Sequence, residues 1–489
     1  MTTTTANPSS SSATPRGVLA SLSLAMLLSS LGTSIANVGL PTLAQAFGAT
    51  FQQVQWVVLA YLLAITTAVV GVGRLGDLWG RQRLLLAGIA LFTAASALCA
   101  LAPSLAWLVA ARAVQGLGAA VMMALAMALV ADAVPPGRTG SAMGLLGTMS
   151  AVGTALGPTL GGALIAGWGW PALFAINLPL GGAAWWAARR YLPADSARAG
   201  VQRPRFDVVG MLLLAVTLAA YALAMTLGRG QWGALNAALL AGAGLGLALF
   251  IGAQRRAGRH GAAPLVPLGL FLQSPALGAG FAMGALVTTV VMATLVVGPF
   301  YLAGALGLGT AQVGLAMSSG PLVSALAGVP AGRLVDRLGT QRTTRAGLIA
   351  MAVGSAALAL LPAGFGVAGY VLPLALVTAG YALFQAANNT AVMAATVQQP
   401  QQRGVVSGLL NLSRNLGLVT GASAMGAVFA WGAGGQGGAM VQPGAVAAGM
   451  QATFGVAAAL VVAALGIALA ARPSFRPGTG RTAEPPAGQ

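Results

Sequence analysis

Six carboxylates, one histidine and one cysteine are all the acid–base and metal-ligating chemistry that 489 residues offer. The acids are Asp77, Asp132, Asp195, Asp207, Asp336 and Glu484. None pairs with another in a pattern suited to general acid–base work, and no nucleophile–histidine set exists. His260 falls beside Arg255, Arg256 and Arg259 and reads as a loop histidine, while Cys99 reads as a small apolar filler. A lone histidine and a lone cysteine hold no metal and form no internal disulfide. An enzyme is therefore not expected, nor any cofactor. What remains is charge in unusual surroundings. Arg112 and Arg414 stand inside long apolar runs. A buried arginine in lipid costs about 2.5–3.5 kcal/mol even on a lenient scale, so such residues belong on an interior face. With Gln115, three positions after Arg112, and Asn37 in the first apolar run, they are candidate polar stations along a pathway, and for Arg414 simple pairing with carbonyls is the equal alternative.

The elements that must position these residues are membrane helices. Only 6% of the chain is charged and 57% is hydrophobic, where a soluble protein carries roughly a quarter charged residues. Breaking the apolar runs at charged or Gly/Pro-rich stretches predicts fourteen spans, each near the roughly 20 residues that cross a bilayer core. An even number of spans puts both termini on one side, expected to be the cytoplasm. On that map twenty-one arginines fall inside and only Arg229 outside, as the positive-inside rule requires. The tryptophans fall near span ends, where interfacial aromatics belong. The net charge of +18 is thus read as topology. A nucleic-acid partner is not expected, because the basic residues are scattered in short clusters between apolar runs rather than gathered on one face.

One charged phrase is written twice. GRLGDLWGRQR runs from Gly73 to Arg83, and GRLVDRLGTQR from Gly332 to Arg342. The echo continues from Arg138 (RTGSAMGLLGTMSAVGTALG) to Arg403 (RGVVSGLLNLSRNLGLVTG). Parallel repeats of six helices, with a site between the halves, are a known transporter architecture. In the loop phrase, glycine turns are expected to bring Asp77 beside arginines and helix ends, where the helix dipole favours an acid. Such contacts would latch the two halves, with Gly73, Asp77, Gly80, Arg81, Arg83, Asp336 and Arg342 as gating residues; the bland alternative is a loop anchor at the interface. Gly153, Gly157 and Gly161 share one helix face and allow close backbone approach, with Pro158 adding a bend.

Taken in this order, the motifs resemble those of the major facilitator superfamily, and within it the fourteen-span EmrB/QacA-like drug:proton antiporter branch. GRLGDLWGRQR is similar to the family's loop motif after the second span. RAVQGLGAA from Arg112 resembles its fourth-span motif, and GTALGPTLGG from Gly153 the fifth-span motif associated with exporters. WVVLAYLL from Trp56 and INLPLGG from Ile176 also resemble this branch. The resemblance implies an all-α integral membrane protein of two six-helix bundles with two extra helices between them. The expected layout is a tail over 1–17, a six-helix bundle over 18–191, a loop over 192–207, two inserted helices over 208–254, a loop over 255–275, the second bundle over 276–472 and a tail over 473–489. It implies a multi-pass transporter of the cell (inner) membrane that exports small, hydrophobic molecules by alternating access, with the lipid bilayer, a small-molecule substrate and protons as partners.

One departure bears on coupling. The branch carries an aspartate before its Thr-Ile-x-Asn pattern in the first span; here the stretch is LGTSIANVGLP and the matching residue is Gly32. If Gly32 faces a central cavity, it lies in the same layer as Arg112, judged by distance from the span ends. No other acid replaces the aspartate, which leaves Asp132 and Asp207, at span edges, as candidate proton carriers. Two transport readings stay open: a proton-coupled exporter using an edge acid, and an exporter of neutral or anionic compounds without the usual acid. A transporter-like membrane sensor that moves nothing is the reading from a different class.

Overall fold

Prolines and glycines punctuate the chain where helices begin and end. The computed structural model describes residues 15–133, 139–193, 195, 207–227, 233–259, 275–394, 403–434 and 442–470. All regular structure among them is helical. In chain order the helices are α1 (Pro15–Val38), α2 (Leu40–Ala46), α3 (Phe51–Val54), α4 (Trp56–Trp79), α5 (Arg81–Ala100), α6 (Leu105–Ala133), α7 (Thr139–Trp168), α8 (Ala172–Ala175) and α9 (Asn177–Tyr191). They continue with α10 (Val208–Thr226), α11 (Ala234–Arg259), α12 (Pro275–Phe300), α13 (Thr310–Leu338), α14 (Thr340–Leu360), α15 (Gly366–Ala394), α16 (Arg403–Thr420), α17 (Gly426–Gly432) and α18 (Pro443–Ala470). α1, α12 and α18 each open on a proline, whose fixed φ suits the first helical position and whose missing N–H would have no partner there. Eleven helical segments among the described residues are long and apolar enough to cross a membrane.

The apolar run that contains Trp56 is broken near its start. Thr50 and Gln53 form a reciprocal capping box, Gln53 N donating to Thr50 Oγ1 (3.3 Å) and Thr50 N to Gln53 Oε1 (2.8 Å). This starts α3 one short turn before α4. The segment expected over 405–431 is interrupted too: a π-turn at Gly421–Met425 joins α16 to α17. A second π-turn, Tyr301–Ala305, ends α12.

The two charged phrases fold alike. Gly80 (φ 93°) separates α4 from α5, and Gly339 (φ 82°) separates α13 from α14. Both are left-handed-side positions that a side chain would strain. The crossings that follow repeat as well. A Cβ at Gly118 would stand 2.8 Å from Gly88 O, where α6 crosses α5. A Cβ at Gly380 would stand 2.6 Å from Gly347 O, where α15 crosses α14. Small residues there let the backbones touch.

Contacts define two ends. Gly17 abuts Tyr191, and Asp195 reaches the start of α5, so these belong to one end, which also holds the start of α1. The opposite end, here the far end, holds the start of α4, which meets the end of α10 through Trp56 Nε1 donating to Thr226 Oγ1 (3.1 Å). One apolar core lies within α1–α9, built on residues such as Leu22, Tyr61, Phe92 and Leu125. A larger one runs from α1 and α4 into α12–α18 and joins the halves. α10 and α11 pack on each other, and α10 also leans on α4.

Candidate functional site

Arg112 sits on α6 with no exposed surface. Its neighbours come from α1, α4 and α8 of the first half, and its guanidinium is spent on them and on Gln115 of its own helix. Nε donates to Val57 O (2.9 Å), Nη2 to Gly32 O (3.0 Å) and Nη1 to Gln115 Oε1. Gln115 passes the chain on, Nε2 donating to Ser96 Oγ (2.6 Å). The guanidinium carbon lies 4.0 Å from the Tyr61 ring centre and 5.9 Å from that of Phe174. Tyr61 in turn donates to Ser29 O (2.8 Å). With no acid beside it among the described residues, this buried cation is held by carbonyl dipoles, a side-chain amide and two ring faces.

Gly32 does not face a cavity. A Cβ there would meet Tyr61 Oη at 2.9 Å and Phe92 at 3.1 Å. The expectation of a cavity-facing Gly32 is thus corrected: it packs inside the first half, and its carbonyl supplies one acceptor for Arg112. Asn37 is also fully buried; Nδ2 donates to Thr33 O (3.0 Å), while its Oδ1 has no partner.

Arg414 has different surroundings. It is half-buried on α16. The apolar side of this helix, with Leu409 and Leu412, belongs to a cluster that also holds Phe281 of α12 and Leu214 and Leu218 of α10. Another side meets α12: Ser413 Oγ donates to Phe281 O, Gly417 lies against Ala285 O and Thr288, and Thr288 Oγ1 donates to Arg414 O (3.2 Å).

The exporter-type glycines do not touch the second half. Gly153, Gly157 and Gly161 lie against Leu27 O, Ser34 Oγ and Val38 of α1. The contact between halves falls one residue on. A Cβ at Gly162 would stand 2.9 Å from Gly314 Cα, and one at Gly314 would stand 2.7 Å from the carbonyl of Pro158. This backbone contact of α7 with α13 lies towards the far end. There Gln55 Nε2 also crosses between halves to Ala422 O (3.1 Å), inside the π-turn. Phe51 packs on Phe300 and Phe429 with ring centres 4.6 and 4.8 Å apart. None of Gln55, Phe51, Phe300, Phe429, Gly162 and Gly314 was singled out from sequence; the glutamine beside the Trp56 motif was the available signal for Gln55.

At the other end the loop phrase has an unforeseen partner. Asp195 accepts from Gln82 N (2.9 Å) and Arg83 N (3.0 Å), capping α5. Gln82 Nε2 donates to Leu192 O (3.1 Å) and ties the same segment down. The side chains of Gly73's neighbour Arg74, of Asp77 and of Asp132 lie outside the described residues. Asp336 and Arg342 are exposed near Gly339. Asp207 caps α10, accepting from Gly210 N (2.8 Å) and from Gln254 Nε2 (2.8 Å). No group of three or more acid, histidine or cysteine side chains among the described residues could hold a metal.

Two helical halves of membrane-length helices, joined across one end, with buried polar stations, are the architecture of a multi-pass membrane transporter. The chain belongs to the Major Facilitator Superfamily, whose family model matches residues 22–422. It is 34% identical to the uncharacterized transporter YebQ of Escherichia coli over 83% of this chain and 87% of that one. It is 30% identical to the riboflavin transporter RibZ of Clostridioides difficile, over 84% and 88% of the two chains. It is 31% identical to the multidrug resistance protein Stp of Mycobacterium tuberculosis, over 83% and 74%. Among solved structures, a bacterial homolog of the human lysosomal transporter Spinster, inward-facing and unoccupied, shares the fold with a TM-score of 0.67 at 15% identity, over 93% and 96% of the chains.

Proposed function

We propose that this protein exports small, hydrophobic molecules across the cell (inner) membrane by alternating access, in the manner of the fourteen-span drug-efflux branch. The observation that carries the reading is the closure at the far end: Gly162 against Gly314, Gln55 against Ala422, and Phe51 between Phe300 and Phe429. These contacts are narrow and weakly polar, as a seam that opens and recloses requires. Their place at the end opposite the start of α1, with that side cytoplasmic as the arginine distribution favours, supports reading this as the state open to the cytoplasm. Multidrug resistance protein Stp supports a drug-like cargo, and riboflavin transporter RibZ shows that other solutes occur among relatives.

In this reading the three spans beyond the eleven apolar segments are α7, the α8–α9 pair, and α16 with α17. The two bundles are 18–191 and 276–472, with 208–254 inserted. The loop phrases act as gates by holding helix ends, and the N-half phrase is fastened by Asp195. Arg112 serves as a fixed clamp, and the pathway role passes to Arg414. Coupling to protons rests on Asp132 and Asp207, of which Asp207 is already engaged as a cap. The reading in which neutral or anionic cargo moves without a first-span acid is favoured by Gly32, which packs too tightly for an added carboxylate. The test is efflux of a lipophilic dye from proteoliposomes, with and without a pH gradient. Dye movement above protein-free vesicles supports export, and acceleration by the gradient assigns proton coupling. A protein that moves no dye in either condition fits the sensor reading instead.

A further inference from the structure

One polar face in the membrane part is not spent on internal bonds. On α16, Asn411, Arg414 and Asn415 stand three and four residues apart, so they form one stripe. The contacts of α16 fix where this stripe points. Ser413 and Gly417 face α12. Leu409 and Leu412 lie in the apolar cluster with Leu277 and Phe281 of α12, and α16 also packs on α4 of the first half. At about 100° per residue, Asn411 and Arg414 fall outside the arc that runs from Leu412 through Ser413 to Gly417. An arginine is costly against lipid, so this side of α16 faces the interior between the halves. Arg414 and Asn411 are half-buried there. Asn415, on the same stripe, is 5% exposed, and its Nδ2 has no hydrogen-bond partner. No acid among the described residues lies on the middle turns of a span, so nothing described neutralises Arg414 from within the membrane.

We propose that this stripe is the substrate-recognition site and that it selects hydrophobic molecules carrying a carboxylate. The inference rests on the export reading above and names its cargo. A planar guanidinium matches both oxygens of a carboxylate, and a flanking amide N–H with no other partner supplies a further donor. Leu418 stands one turn along the same face, which suits the apolar part of an amphipathic anion. Arg112 cannot serve in this way, because its donors are already engaged and it has no exposed surface.

The experiment uses the full chain in proteoliposomes and downhill flux, so no proton gradient is needed. The probes are two xanthene dyes of one scaffold, one with a free carboxylate and one with that group esterified and a net positive charge. The unaltered protein is expected to carry the carboxylate dye. Arg414→Gln should lower its initial rate by about tenfold or more, as loss of a charge-assisted hydrogen bond implies. The esterified dye should change by less than about twofold, which also reports that the variant folds. Arg414→Lys should recover part of the carboxylate rate, since the charge remains and the fork does not. Asn415→Leu should weaken half-saturation for the carboxylate dye more than for the ester. The proposal is overturned if Arg414→Gln leaves the carboxylate rate unchanged or lowers both dyes alike. It is also overturned, with export intact, if the unaltered protein carries only the ester. If it carries neither dye, the export reading itself falls.

Discussion

The first half of the chain encloses a charge where the second half encloses a leucine. The two halves share their turns at Gly80 and Gly339 and their crossings at Gly88–Gly118 and Gly347–Gly380. In the register those crossings set, Arg112 corresponds to Leu374, Gln115 to Val377 and Ser96 to Ser355. Ser96 receives a hydrogen bond from Gln115, whereas Ser355, equally buried, has no partner for its Oγ. The first half is therefore tied by a polar clamp that reaches the backbone of α1 and α4 from α6. At the matching place the second half has the apolar Leu374 and Val377, and both π-turns among the described residues lie in this half. Clamped and slippery halves suit a machine in which one body is a rigid reference and the other adapts at the seam.

The largest test of the comparison concerns the crossings both halves share. Gly157 faces Ser34 of α1, and Gly421 faces Met292 and Thr289 O of α12, so valine at either place overpacks a backbone contact. Each of Gly157→Val and Gly421→Val should destabilise by about 3 kcal/mol or more, read as lost monodisperse protein in detergent. Equal loss keeps the halves equivalent in this respect, and tolerance of either would separate them. Next comes the clamp itself. Arg112→Met leaves Gly32 O, Val57 O and Gln115 Oε1 without their donors, and should cost about 2–4 kcal/mol. Leu374→Met exchanges one apolar side chain for another of similar volume and should cost less than about 1.5 kcal/mol. Thermal unfolding in detergent compares them. A mild Arg112→Met would mean the clamp is not what holds the first half.

Much of this frame was legible in the sequence. The repeat was visible because glycine spacing and charge survive in both copies, and backbone turns and close crossings demand them. That Arg112 faces inward followed from the cost of a charge in lipid. The Gly153–Gly157–Gly161 face was readable as a packing surface, though not which helix it meets. What escaped were partners far apart in the chain. Nothing local marks Ser96 as the acceptor for Gln115, or Asp195 as the cap of a helix that begins at Arg81. Gly32 was misplaced for the same reason: its surroundings, Tyr61 and Phe92, come from other helices. The Phe51–Phe300–Phe429 cluster is equally non-local, and phenylalanines in so apolar a chain carry no signal of their own.

A smaller prediction has opposite signs in the two halves. Ser96→Ala removes the acceptor for Gln115 Nε2 inside a buried network, and should destabilise by about 1–2 kcal/mol. Ser355→Ala removes a buried hydroxyl that has no partner, so it should be neutral or stabilising by up to about 1 kcal/mol. The measurement is the shift in midpoint of thermal unfolding for each variant, made side by side. Destabilisation by both would mean that Ser355 is bonded through water, and the polar asymmetry would shrink to Arg112 alone.

The smallest effect separates the two loop phrases. At Gly80 a Cβ would collide with the Asp195 carboxylate, whereas at Gly339 it would meet nothing within 4 Å. Both positions have positive φ, so alanine strains the backbone at each by roughly 1 kcal/mol. Gly80→Ala must also push Asp195 off the N–H groups of Gln82 and Arg83, which adds the loss of a helix cap, typically about 1 kcal/mol. Asp195→Asn keeps one acceptor oxygen and removes the charge that the α5 N-terminus favours, so alone it should cost about 0.5–1 kcal/mol. Asp195→Ala should cost slightly more. Combined with Gly80→Ala, however, it should cost less than the sum of the two single changes, because the collision and the cap are lost together. The Gly339→Ala and Asp195→Ala pair, in opposite halves, should add. Both cycles are read from unfolding midpoints of purified protein. Additivity in both would mean that Asp195 does not seat over Gly80, and the fastening that distinguishes the first phrase from the second would be absent.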